Sequence, residues 1–343
     1  MPHPTSLPAA NEQGSEDLLS LWSDLESGLS IILTRPQNVQ DFPQKVLQYD
    51  RWMQALVLQD VDIALYLLFQ LAATSSVGYS ASHALVCAAL CHIVANELAL
   101  PRAERDTLVR AAMTMNVAMT DVQNRLASQK ERPSPQQRQV IRHHATDGEV
   151  MLTRLGVEDP VWLEVVRGHH GADNARATLF ELAPAARLSH VLHTIDRYAA
   201  MISPRGFRVG RSALDSVRAI LGGREDYRDE VGYALVRAVG LCPPGTFVDL
   251  TSGETAVVVR RSPVANKPVV AIMLDPHKQP LRRPRLHRLA SGAPRIRTAL
   301  AHDQVPPLDH RLVLQVGVQA SRQIASWTEQ QSSPASQSLP SQL

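Results

Sequence analysis

The sequence predicts an all-α helical bundle with an N-terminal helical extension and a small C-terminal β-hairpin or meander. Three observations predict it. Apolar residues recur at helical spacing over most of the chain from Glu16 to about Met201, the pattern of helices that bury one face. Pro43, Pro101, Pro135, Pro160 and Pro184 stand where periodic stretches begin, and there a missing N–H costs little. Beyond Pro243-Pro244-Gly245 the period shortens towards two, the mark of strands.

Each element follows from that pattern. Residues 1–16 are polar and read as a disordered tail. Residues 17–76 form an N-terminal helical region, with helices over Glu16–Leu33, Phe42–Leu58 and Asp60–Thr74. Tyr79–Leu98, Glu104–Ala118, Gln136–Leu155, Pro160–His170 and Pro184–Met201 continue the body. Ala213–Ala238 adds more helix, interrupted at Gly222-Gly223, for about ten helices in all. Strands are expected at Thr246–Leu250, Ala256–Val259 and Val269–Leu274. The basic run Arg282–Arg288 reads as a solvated face or linker inside a C-terminal extension, 261–324. A Gln-, Ser- and Pro-rich disordered tail closes the chain over 325–343.

Composition bounds the function. The 343 residues are 44% hydrophobic and 20% charged, as in soluble globular proteins. Aromatics make up only 4%, so the core must be built from Leu, Val, Ala, Ile and Met. A net charge of +2 neither favours nor excludes a nucleic-acid partner. The Arg282–Arg288 run lacks the interleaved aromatics of a nucleic-acid platform, so no such partner is expected. Cys87 and Cys91 share one face of an apolar helix and Cys242 is left over, which points to buried thiols in a reducing compartment. A zinc site of Cys87, Cys91 and His92 is the sharper alternative, although helical cysteines are more often packing residues. The first fifteen residues lack a secretory pattern, and no apolar run approaches the roughly 20 residues of a membrane span. A cytoplasmic protein without a membrane span is the expectation.

Five residues carry the chemistry: His83, His144, the pair His169-His170, and Asp196. Imidazole and carboxylate hold hydrated divalent metals for hydrolysis, and residues on separate helices can converge inside a bundle. A lone histidine on an apolar helix is ordinarily a satisfied core residue, and 13 histidines supply coincidences. Order and local context weigh against coincidence here.

Those contexts resemble the HD-GYP family of cyclic di-GMP phosphodiesterases in the HD superfamily. Tyr79-Ser-Ala-Ser-His83 is similar to its opening ligand helix, and His144-Ala-Thr-Asp-Gly148 to its His-x-x-x-Gly step. Gly168-His169-His170 stands where that family has paired histidines. Asp196-Arg-Tyr-Ala-Ala-Met-Ile-Ser203-Pro-Arg205-Gly-Phe207-Arg208 and Gly245-Thr-Phe-Val-Asp-Leu-Thr-Ser-Gly253-Glu254-Thr-Ala256 resemble its two closing segments. The resemblance covers about residues 77 to 260. It implies an HD-type bundle, metal ligands at His83, His144, His169, His170 and Asp196, and phosphate contacts at Arg205 and Arg208. Those arginines serve equally well as pins between a loop and neighbouring carboxylates, and Asp147 and Asp173 read as surface or capping residues.

The departures matter as much. Met115 and Asn116 stand at the family's His-Asp dyad and Met119 at its lysine, within a run read as helical. Asn116 offers only a neutral amide oxygen, and losing an anion makes two divalent ions harder to retain. Gly171-Ala172-Asp173-Asn174-Ala175-Arg176 lacks the family's Glu and its Gly-Tyr-Pro loop. The resemblance therefore implies a catalytically impaired signalling or regulatory protein that binds a cyclic dinucleotide or a partner protein. A divalent Fe, Mn or Zn would be held at reduced occupancy. The alternative is an active metal-dependent phosphodiesterase with one metal on His144, His169 and His170, with or without His83, and Asp196 orienting a water. A third reading is an interaction protein with unrelated histidines.

Overall fold

The computed structural model describes residues 12–74, 77–171, 178–203, 210–221, 229–262, 267–289, 292–301 and parts of 304–319. Among them, eleven α-helices come first. They are α1 Glu12–Thr34, α2 Phe42–Gln59, α3 Val61–Thr74, α4 Tyr79–Glu97, α5 Arg102–Thr114, α6 Thr120–Ser128, α7 Pro135–Arg154, α8 Pro160–Gly168, α9 Pro184–Ile202, α10 Ala213–Leu221 and α11 Glu230–Val239. Five strands follow: β1 Phe247–Leu250, β2 Thr255–Arg260, β3 Val269–Leu274, β4 Pro280–Arg288 and β5 Ile296–Ala299.

Local signals start the helices. Asp41 caps α2 by accepting from the Gln44 N–H. Ser134 and Gln137 form a reciprocal capping box ahead of α7, with Pro135 at its first position. Asp159 accepts from the N–H groups of Val161 and Trp162 and so fixes the start of α8.

α4 is the axle of the bundle. Every residue from Ser80 to Ala95 is buried, as expected of a helix that is apolar all round. It packs against α1, α3, α5, α9 and α11. By length and composition α4 is apolar enough to cross a membrane, contrary to the sequence expectation, and 89% of that window is buried inside the protein. One hydrophobic core runs from Leu18 and Trp22 of α1, through α4, to Val316 and Val318.

Two sequence expectations need correction here. The run Glu104–Ala118 is not one helix: α5 stops at Thr114 and a 3-10 turn, Val117–Met119, leads into α6. None of Met115, Asn116 and Val117 forbids a helix, so the break is set by packing and leaves no local signal. α6 was not anticipated; its one buried apolar residue, Leu126, gives too little periodicity to read.

The C-terminal part is larger than a hairpin or short meander. The five strands form one antiparallel sheet in the order β4-β3-β2-β1-β5. Its alternate residues face two ways. Phe247, Val257, Val259, Ala271 and Met273 join the helical core, while Val248, Leu250, Ala256, Val258, Val270 and Ile272 build a second apolar cluster. The Arg282–Arg288 run belongs to the edge strand β4 rather than to a linker. Arginine and proline suit an edge, where one row of backbone groups is unpaired, and that composition hid the strand.

The sheet is tied to α3. Arg260 Nη1 donates to Asp60 Oδ2 at 2.8 Å and Arg261 Nε to Asp62 Oδ1 at 2.6 Å. Gln70 Nε2 donates to the Gly245 carbonyl at 2.8 Å. Gly245 has φ 90°, and a Cβ there would lie 2.9 Å from both Phe69 Cβ and the Tyr66 carbonyl oxygen. Only glycine permits this approach.

A buried bond fixes the end of α5. Trp162 Nε1 donates to Thr114 Oγ1 at 2.9 Å, and Thr114 Oγ1 donates to the Arg110 carbonyl at 2.8 Å. Thr114→Val keeps the shape but leaves the indole N–H without an acceptor. We expect a loss of about 1–3 kcal/mol in urea unfolding; an unchanged midpoint would show that this bond does not hold the helix end.

Candidate metal centre

Four helices deliver the five residues. His83 lies in the first turns of α4, His144 in the middle of α7, and Asp196 on α9. α8 is only nine residues long and ends at Gly168, with His169 as its C-cap. The pair His169-His170 is thus presented at a helix terminus, closed by a turn from the Gly171 N–H to the Gly168 carbonyl. His143 points outward and its Nδ1 engages the Gln139 carbonyl, so His144 is the inward member of that pair.

His144, His169 and His170 form one group. His144 Nε2 lies 3.2 Å from His169 Nε2 and 3.2 Å from His170 Nε2. The partners of the other ring nitrogens decide what this means. His144 Nδ1 sits 2.6 Å from the Ile141 carbonyl, and His169 Nδ1 2.6 Å from the Val166 carbonyl. A carbonyl only accepts, so each Nδ1 carries the hydrogen and each Nε2 presents a bare lone pair. Two acceptors then face each other inside the protein, an arrangement that repels unless a cation lies between them. Burial pushes the proton affinity of all three rings down, for His169 to about 3, so a proton is a poor candidate for that cation.

His83, Cys87 and Asp196 form the second group, with donor atoms within 4.8 Å of one another. His83 Nε2 lies 2.8 Å from Asp196 Oδ1. Cys87 Sγ is 3.6 Å from the same Nε2. Tyr79 stacks on the His83 ring at 5.3 Å with 14° between planes. Burial alone would raise the proton affinity of Asp196, but the hydrogen bond and charge of His83, then His169 and His170, outweigh it. The carboxyl is held well below the usual carboxylate range. Asp196 in turn opposes the downward shifts of His144, His169 and His170, so the two groups share one electrostatic environment.

The residues present fit a divalent ion. At metal–nitrogen distances of about 2.05 Å, tetrahedral ligands stand about 3.3 Å apart, close to the 3.2 Å found twice among the three histidines. Ring hydrogens donated to backbone carbonyls are also the usual way in which ligating imidazoles are oriented.

The turn that holds Met115 and Asn116 packs on α7 near Gly148. Met115 is fully buried and Asn116 half-buried, in the turn after α5. A Cβ on Gly148 would lie 3.7 Å from the Met115 carbonyl oxygen and 3.3 Å from Val166 Cγ1. Gly148, one turn after His144, therefore lets α7 lie close to both Met115 and α8. Arg205, Arg208 and Asp173 fall outside the described residues. Asp147 is on the surface, as expected. Cys87 and Cys91 are buried free thiols; His92 engages Asn96 rather than a cysteine pair.

Sequence reasoning missed His193 and gave Cys87 the wrong partners, Cys91 and His92 in place of His83 and Asp196. Cys87 is one turn after His83 on the same face, and that spacing was the available signal. His193 is one turn before Asp196; its Nδ1 lies 3.0 Å from the His169 carbonyl, and its ring meets that of His170 edge-on at 6.3 Å.

The titration behaviour can be checked on metal-free protein. His169 binds a proton less readily in the folded state than the ordinary 6.5 of the unfolded chain, down to about 3. Its contribution to stability is complete above the unfolded value and is lost as pH falls towards the folded one. With chelator present, the urea midpoint should drop from about pH 7 to about pH 5, and His169→Gln should flatten that drop. Equal slopes in the two proteins would contradict a buried neutral His169.

No family model matches the chain. Cyclic di-GMP phosphodiesterase PA4108 of Pseudomonas aeruginosa is 25% identical over 189 residues, which cover 53% of this chain and 45% of that protein. The chain therefore matches less than half of that relative's length. Among solved structures, Bd1817, an HDG"Y"P protein from Bdellovibrio bacteriovorus, aligns with a TM-score of 0.49 and 11% identity over 66% of this chain and 73% of that one. In sequence and in the order of its ligand-type residues, the chain resembles the HD-GYP proteins of the HD superfamily.

Proposed function

We propose that the chain is a catalytically impaired HD-GYP-type module of cyclic di-GMP signalling, which holds a divalent ion and binds the cyclic dinucleotide without turning it over. The observation that carries this reading is Met115-Asn116 in the turn after α5, where the Met115 carbonyl packs on Gly148, one helical turn from His144. Two-metal hydrolysis needs cations about 3.5–4 Å apart that together stabilise attacking and leaving oxygens. At the dyad position the chain offers a thioether and an amide in place of an imidazole and a bridging anion. Asp196, the carboxylate of the cluster, is already engaged by His83. Supplying signals by binding alone suits such a site, with the cytoplasm as its compartment and a signalling protein as the partner that reads the bound state.

The second reading, residual hydrolysis with one metal, is favoured by the convergent lone pairs of His144 and His169. Three neutral imidazoles leave an ion acidic enough to activate water. The ion itself would supply that acidity; the chain's part is to aim the Nε2 lone pairs of His144 and His169, with His170 beside them, and to hold Asp196 ionised.

Calorimetric titration with cyclic di-GMP, with and without manganese, separates the readings when paired with a hydrolysis assay on the same protein. We expect saturable binding and no linear dinucleotide product, with binding weakened about tenfold or more by His169→Ala. Hydrolysis that survives metal repletion controls and disappears in Asp196→Ala would overturn the proposal in favour of the enzyme. Absence of both binding and metal would leave the interaction protein.

A further inference from the structure

We propose that Cys87 is a metal ligand, completing with His83 and Asp196 a second, sulfur-containing subsite beside the three histidines. The proposal rests on the reading that this pocket takes divalent ions. Helical spacing puts His83 and Cys87 on one face of α4, and α9 brings Asp196 against that face. Cys87 Sγ stands 3.6 Å from His83 Nε2. Zinc–sulfur and zinc–nitrogen distances of about 2.3 and 2.05 Å place tetrahedral S and N ligands about 3.6 Å apart. The His83–Asp196 separation, 2.8 Å, is that of a hydrogen bond and needs to open by about half an ångström to admit an ion.

Charge supports the assignment. On the reading that Asn116 takes the place of an anion, a thiolate at Cys87 on α4 supplies one instead. The thiol proton leaves to solvent as Sγ takes the ion, so thiolate and carboxylate together balance a divalent cation. Sulfur also selects the ion: thiolate favours zinc or cobalt over manganese. Cys91, one turn further along, lies in neither donor group, which makes it an internal control on the same helix.

Such an ion would be poorly suited to hydrolysis. A thiolate donates more charge than an imidazole or water, so an ion held by thiolate and carboxylate together would acidify a bound water less than one held by three neutral imidazoles. The subsite would brace α4 against α9 and leave the three histidines to face the ligand.

Cobalt(II) reads out the ligand set directly. Titrating metal-free protein should give visible d–d absorption together with a near-ultraviolet sulfur-to-cobalt charge-transfer band. Cys87→Ser should lose the charge-transfer band and keep the d–d absorption of the histidine group, while Cys91→Ser keeps both. X-ray absorption of zinc-loaded wild-type protein, which depends on no variant folding, should show a sulfur neighbour at about 2.3 Å. Visible absorption without charge transfer, or a zinc shell of nitrogen and oxygen only, would overturn Cys87 as a ligand and leave the histidine site intact. Absence of any cobalt absorption would overturn both.

Discussion

A neutral imidazole has one hydrogen and one lone pair, and its neighbours decide which nitrogen carries which. In His144 and His169 the decision belongs to the helix backbone itself. Each Nδ1 is 2.6 Å from a carbonyl three residues upstream, Ile141 in one case and Val166 in the other. The inward nitrogens are left as acceptors, 3.2 Å apart and shut away from water. The surrounding fold serves this constraint. The capping box sets where α7 begins, Asp159 and Pro160 set where α8 begins, and a buried α4 holds His83 against Asp196.

Local chemistry was the legible part of the sequence. α2, α7 and α8 begin within a residue or two of where Pro43, Pro135 and Pro160 place them, because a proline and its capping neighbour act over one turn. Elements decided by distant contacts were not legible. The break after Thr114 has no breaker residue; it answers to the packing of Gly148 and Trp162 against the end of α5. β4 was hidden because an edge strand tolerates Pro284 and a row of arginines that a central strand would reject. The same division holds at the centre. The histidines and Asp196 announced themselves through neighbouring motif residues. Cys87 sits in a run of alanine, leucine and valine, and it reads as packing until α9 sets a carboxylate opposite it.

On the proposed reading, Met115 and Asn116 in place of a His-Asp dyad alter charge far more than shape. Met115 fills a fully buried position, and a flexible thioether adapts readily to such gaps. Asparagine has nearly the outline of aspartate and none of its charge. Hydrophobic packing around α5, α7 and α8 can therefore persist while the electrostatics of the pocket change. On that reading fold resemblance and catalytic competence separate at this point, since one depends on volume and the other on an anion.

What remains in the pocket divides by ligand chemistry. The three histidines are neutral donors, so an ion bound there keeps its full charge and its power to acidify water or attract a phosphate. His83, Cys87 and Asp196 contain two groups that can be anionic, and an ion between them would be nearly neutralised. On the proposed reading one side of the centre thus suits an anionic ligand better than the other. A two-metal hydrolase needs both ions to act on the same reacting phosphate. Dividing the charges between a bare site and a neutralised one weakens that partnership, while leaving the bare site free to bind a phosphodiester. On the proposed reading, that asymmetry is what separates binding from turnover.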